Sequence, residues 1–311
     1  MRVFYTDHFS VPLPPGHRFP MHKYAALRER LLEAGVLAPE ELFPARPAAL
    51  EAVLAVHAPE YVHGYLDGTL DPKALARIGF PWSPAMVART LASAGGTLLA
   101  AQAALEDGFA GVLAGGTHHA YRSEGSGFCV FNDIAIAAVN LLERGAATRV
   151  LVVDLDVHQG DGTASIFERE PRVFTFSMHG ERNFPARKQV SDLDVPLRDQ
   201  CGDEEFLALL DEHMASAYER AQPDFVIYQG GVDPLAQDRL GRLALSHAGL
   251  LERDRRVFRA ARARGLPLVA TLGGGYSDPI DPTLEAHVNT YRAAREVFRS
   301  GASHLPPSSA S

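Results

Sequence analysis

Short apolar runs alternate with longer segments of helical periodicity along most of this chain. Val3–Tyr5, Gly111–Ala114, Arg149–Val153, Val173–Ser177, Phe225–Gln229 and Leu268–Leu272 read as strands. Several are apolar at every position, the pattern of parallel strands covered on both faces. Between them the 3.6-residue period predicts helices over Lys23–Ala34, Pro47–Val56, Pro84–Glu106, Asn132–Arg144, Asp203–Ala221, His247–Arg264 and Thr283–Phe298. Strands alternating with helices predict an α/β fold: a single three-layer domain over residues 1–299, with a mainly parallel sheet flanked by helices. No linker or fixed-period repeat divides it. The tail Ser300–Ser311 is small, polar and Pro-containing, and is expected to be flexible.

The polar residues are not scattered. Gly115-Gly116-Thr117-His118-His119 follows one strand and Asp154-Leu155-Asp156-Val157-His158-Gln159-Gly160-Asp161-Gly162 the next. Ser177-Met178-His179, Gly230-Gly231-Val232-Asp233 and Gly273-Gly274-Gly275-Tyr276 end three more. Ligands of open parallel sheets bind beyond the carboxyl ends of the strands, so five strand ends are expected to converge on one site.

The 311 residues are 46% hydrophobic and 22% charged, ordinary for a globular protein. A net charge of −8 argues against a nucleic-acid surface as the main function, yet allows a local groove for a cationic peptide or amine. Two cysteines, Cys129 and Cys201, give no disulfide framework and fit a reducing compartment. With neither an apolar signal core nor a membrane-length run, a cytoplasmic enzyme without membrane or nucleic-acid partners is expected.

Three carboxylates and an imidazole at one strand end call for a compensating cation. Asp156 and His158 supply two ligands. Asp233 is the best third, since the glycines before it allow close backbone approach. Two oxygens and one nitrogen suit a catalytic Zn2+ with an open position, and also Fe2+. His118 and His119 are the candidates for moving protons. Asp154 and Asp161, left over from ligation, suggest two Asp–His pairs. Tyr276 can donate to a developing oxyanion, and Phe128 and Phe184 can wall a narrow channel. No Gly-Lys-Ser/Thr follows the glycine runs, so a nucleotide loop is not expected. Cys129 reads as a buried apolar residue. His57, His63, His213 and His287 are assigned to surface or satisfied-core positions.

These motifs, with Ser126-Gly127-Phe128-Cys129-Val130-Phe131-Asn132-Asp133, resemble the zinc-dependent histone deacetylase family of the arginase/deacetylase superfamily. The forms of Gly16-His17-Arg18-Phe19-Pro20-Met21 and Phe176–Pro185 resemble its class IV branch and bacterial relatives. The resemblance implies zinc on Asp156, His158 and Asp233. It implies that His119, backed by Asp161, is general base and acid, and that His118, bonded to Asp154, is its electrostatic partner. Tyr276 would polarise the scissile carbonyl. Phe128 and Phe184 would flank an acyl-lysine stem, and Gly127 would accept its amide N–H. A structural K+ would sit on Asp154, Ser177 and the carbonyls of Asp156, His158 and Met178. Arg18 would brace the glycine loop. Val232 and Gln159 depart from the usual alanine and histidine beside the ligands, which predicts adjusted packing with catalysis kept.

The expected activity is removal of acyl groups from N-acyl-lysine side chains of a protein or peptide. The alternatives are a deacetylase of acetylpolyamines or another small amide, and a catalytically silent acyl-lysine-binding module. Arginase-like hydrolysis would need more bridging carboxylates. Acyl length and oligomeric state are not fixed by these residues.

Overall fold

The computed structural model describes residues 1–299, so the tail expectation for 300–311 lies outside the described residues. The chain opens with β1 (Arg2–Tyr5), α1 (Lys23–Glu33), β2 (Leu42–Pro44), α2 (Leu50–Leu54), α3 (Pro59–Leu66) and α4 (Pro72–Ile78). Next come α5 (Pro84–Asp107), β3 (Phe109–Val112), α6 (Asp133–Glu143), β4 (Val150–Asp154), α7 (Asp161–Phe167) and β5 (Val173–Gly180). The rest is β6 (Leu193–Leu197), α8 (Asp203–Ala221), β7 (Phe225–Gly231), α9 (His247–Ala263), β8 (Leu268–Gly273) and α10 (Asp281–Arg299).

Eight strands form one sheet in the order β2-β1-β3-β8-β7-β4-β5-β6, and every neighbouring pair is parallel. The central strands are apolar throughout because both faces are covered. In β4, Val150 and Val152 join the core that α5 and α6 close, while Leu151 and Val153 join the core under α8 and α9. Each such side chain contributes about 1.5–3 kcal/mol by leaving water. The all-parallel arrangement sends every strand's carboxyl end to the same edge.

The differences from the sequence reading lie at the margins. The edge strands β2 and β6 escape the apolar-run test, being short or interrupted by Asp194 and Pro196, which only an edge tolerates. Helices α3 and α4 each begin on a proline, a start signal in runs too short for a periodicity test. The helix expected over Pro47–Val56 shrinks to α2, since Ala49 is extended and the Ala48 N–H donates to the Leu91 carbonyl of α5.

Of the four histidines set aside, His57 is fully buried: its Nδ1 donates to the Tyr121 carbonyl at 2.9 Å and its Nε2 accepts from the Asn132 N–H at 2.9 Å. His287 corrects the satisfied-core reading. It is buried beside Gly275, and neither ring nitrogen finds a partner among the described residues. Burial pushes the His57 pKa down to about 4. An unfolded chain binds this proton below about pH 6.5, so the stability it confers is fully present above that pH and is lost as pH falls toward 4. Urea titrations should show the unfolding free energy falling by up to about 1.4 kcal/mol per pH unit in this window. His57→Asn should remove about one proton's worth of that slope, and an unchanged slope would exclude His57 as its source.

Candidate active site

The expected residues meet at the carboxyl edge of the sheet. Asp156 and His158 leave β4 and Asp233 leaves β7, and their ligand atoms lie within 4.8 Å of one another. The His158 Nδ1 is 3.0 Å from Asp156 Oδ1 and 3.1 Å from Asp233 Oδ2. The backbone N–H groups of His158 and Val157 donate to Asp156 and Asp233, aiming both carboxylates inward. A Cβ on Gly231 would strike Asp156, and one on Gly274 would strike Asp233, so glycine is required at both close approaches.

The electrostatics fit a divalent cation. Burial, then the nearby Asp156 charge, raises Asp233 to about 7. Burial works against the His158 cation, yet the hydrogen bonds to Asp156 and Asp233 outweigh it and raise its pKa to about 10. Two buried carboxylates thus compete for the one proton available from the imidazole. A metal with N and O ligands relieves this crowding, and the donor set matches that of an open catalytic site.

His118 and His119 follow β3 on an irregular loop, their ring centroids 4.1 Å apart. His118 Nδ1 lies 2.7 Å from Asp154 Oδ2, and His119 Nδ1 lies 2.6 Å from Asp161 Oδ1. These are the two expected pairs. Burial disfavours the His118 cation, but Asp154 and Asp156 outweigh it and hold its pKa near 9. Burial and then the His118 charge push His119 down to about 4. The result is one charged and one neutral imidazole in contact. Tyr121, missed in the sequence, donates to Asp161 at 2.8 Å and shares in orienting His119.

Tyr276 and the walls share a cavity of about 470 Å³ with the three prospective ligands and both histidines. Burial raises the Tyr276 phenol well above 10, so it remains a donor. Gly127 packs against His119 and Phe184. The Phe184 ring stands 4.9 Å from the His119 ring and is 45% exposed, at the rim. Phe128 lies instead in an aromatic group with Phe19, at 5.3 Å, and Tyr276, at 6.2 Å.

For the prospective potassium site, Asp154 and Ser177 are register partners on β4 and β5, and Met178 is the next residue. No described donor reaches the main-chain carbonyls of Asp156 and His158. The Ser177 Oγ is 2.9 Å from His179 Nδ1. Gln159 donates to the Gln189 carbonyl and Asp194, and so pins the segment carrying Phe184.

The glycine loop corrects one expectation. Arg18 is exposed and makes no hydrogen bond to it among the described residues. The buried Lys23, at the start of α1, donates to the Gly274 carbonyl in its place. A lysine opening a polar-faced helix carries no sequence signal of such a role. Two further supports were missed. Asp238 accepts from the Tyr276 N–H at 2.7 Å. The fully buried Arg253 donates to the carbonyls of Leu155 and Gly231, tying together the two strand ends that bear the prospective metal ligands. Arg253 sits mid-helix among other arginines, and only its burial singles it out.

Residues 17–291 match the histone deacetylase domain family. An uncharacterised protein of Picosynechococcus sp. is 48% identical over 296 residues, covering 95% of this chain and 99% of that protein. Histone deacetylase 2 of Arabidopsis thaliana is 32% identical over 274 residues, covering 84% and 70%. The crystal structure of an HDAC homolog from Aquifex aeolicus aligns with a TM-score of 0.79 at 25% identity, covering 96% of this chain and 88% of that one. A structure of an HDAC homolog complexed with SAHA aligns with the same TM-score and identity.

Proposed function

The chain belongs to the histone deacetylase domain family, and we propose that it is a metal-dependent amidohydrolase that removes acyl groups from lysine side chains of proteins or peptides. The observation that carries this reading is the meeting of one Asp–Asp–His set, two His–Asp pairs and Tyr276 in a single cavity. We assign residues 1–299 to one catalytic domain, of class IV affinity by its N-terminal motif, in the cytoplasm. Among the described residues no helix is long and apolar enough to cross a membrane.

Asp156, His158 and Asp233 hold the metal, which we take to be Zn2+, with Fe2+ the other ion these donors suit. The metal supplies Lewis acidity toward water and the substrate carbonyl. A K+ on Asp154, Ser177 and the carbonyls of Asp156, His158 and Met178 would stiffen the loop below it. His119, neutral and oriented by Asp161, takes a proton from the attacking water and returns it to the leaving amine. The charged His118, paired with Asp154, steadies negative charge as it develops, and Tyr276 donates to the same oxygen. Phe128 and Phe184 flank the lysine stem, and the Gly127 carbonyl accepts the amide N–H.

The cavity lining favours acyl-lysine over an acetylpolyamine. Its lining carboxylates are Asp156 and Asp233, both committed to metal, while the exposed Arg182 and Arg242 stand at the rim and share Asp199 between them. Two guanidiniums against one carboxylate leave a net positive charge there, which a polycation would meet. The test is metal-reconstituted enzyme assayed on acyl-lysine peptides and acetylpolyamines. Peptide turnover that a chelator abolishes and zinc restores is expected. Faster turnover of acetylpolyamines would replace the substrate assignment, and metal-bound protein inert on both classes would favour a binding module.

A further inference from the structure

Two cations in the cavity have no part in the chemistry just described. Lys23 is 4% exposed, and its Nζ lies 5.3 Å and 5.4 Å from the ring centroids of Phe19 and Tyr24. Arg89, from α5, places its Cζ 5.4 Å and 5.3 Å from the same two rings and 5.6 Å from Phe80. Arg89 is half-buried and makes no hydrogen bond or ion pair with another described residue. Aromatic faces offset part of the cost of drying a guanidinium, and no described protein group accepts from its five N–H donors, which leaves them open to water or to a ligand.

The position of Arg89 says which part of a substrate could supply those acceptors. The rim of the cavity is marked by the exposed Arg182, Phe184 and Arg242. Arg89 lines it beside Thr90 and Ser93, which are buried. The Phe19 ring bridges to the reaction centre, 6.3 Å from the Tyr276 ring. With the lysine stem entering at the rim and the amide carbonyl at Tyr276, the cations stand near the far end of the acyl chain.

We infer that the acyl group cleaved here ends in a carboxylate, as in a succinyl or glutaryl group, with Arg89 pairing that carboxylate and Lys23 adding charge beside it. This rests on the amidohydrolase reading above. Hydrolysis breaks the amide C–N bond, forms a C–O bond from water, and passes the water's proton through His119 to the departing amine. The products are a free lysine and a dicarboxylate, and no oxidant or reductant takes part. A neutral acetyl chain would offer the Arg89 donors no anionic acceptor.

The experiment uses length-matched peptides on the metal-loaded enzyme: succinyl-lysine against butyryl-lysine, and glutaryl-lysine against pentanoyl-lysine. In at least one pair, kcat/KM should favour the acidic member by about 10-fold or more, as a charge-assisted pair would give. Arg89→Met should collapse that ratio toward one, and Arg89→Lys should retain part of it. Free glutarate should also raise the Tm of the wild-type protein more than pentanoate does, a readout independent of turnover and of any folding defect in the variants. Faster cleavage of the neutral member in both pairs, or a ratio unmoved by Arg89→Met, overturns the inference and leaves the amidohydrolase standing. Metal-loaded enzyme that is inert on all four peptides but still cleaves acetyl-lysine overturns the inference alone, and inertness on acetyl-lysine as well overturns both.

Discussion

Replacing His119 with alanine should lower kcat by about 10²–10⁴-fold while metal remains bound. The imidazole is not among the converging ligand atoms of Asp156, His158 and Asp233, and its ring centroid is 5.8 Å from that of His158. Its Nδ1 is committed to Asp161, which leaves Nε2 as the nitrogen able to accept a proton. Burial and the adjacent His118 charge hold that nitrogen unprotonated at neutral pH. Removing it takes away the acceptor for the water's proton and the donor to the leaving amine, which are the same group at two moments. Asp161 retains Tyr121 as a partner in the variant, so the fold should survive. Metal content by mass spectrometry together with single-turnover rates decides the matter. Near-normal turnover at full metal occupancy would show that the base lies elsewhere.

Tyr276→Phe is expected to reduce kcat by about 10²–10³-fold, the range for losing one donor to a developing oxyanion. The substitution deletes a hydroxyl and little else. The backbone at this position is held by Asp238, and the ring by Phe19, Phe128 and the Lys23 ammonium. A hydroxyl that acts mainly on the transition state should lower kcat and kcat/KM together. A rise in KM alone, with kcat preserved, would reassign Tyr276 to substrate binding.

The sequence carried much of this site because its residues fall immediately after apolar strands, and parallel strands deliver their ends to one edge. The spacing in Asp154–Asp161 and the glycines ahead of Asp233 and Tyr276 were legible as local chemistry. What was hidden depends on contacts across the chain. Asp238 reaches the Tyr276 backbone from a different turn, and Arg253 reaches two strand ends from the middle of a helix. Lys23 lies 251 positions from the carbonyl it holds, and nothing nearby in sequence marks it over Arg18. The edge strands β2 and β6 were illegible for the opposite reason, since a half-exposed strand need not be apolar.

The strand order also has a consequence for how the site is assembled. β8 pairs with β3 on one side and β7 on the other, and it is the last strand in sequence. Without β8, β2-β1-β3 and β7-β4-β5-β6 would be two half-sheets, each presenting an unpaired edge. One half carries His118 and His119, and the other carries Asp156, His158 and Asp233. A single strand therefore closes the sheet, brings the two histidines to the Asp–Asp–His set, and delivers Tyr276 three residues further on. The two groups of site residues therefore depend on one shared strand for their meeting, and damage to β8 would part them without touching any of their side chains.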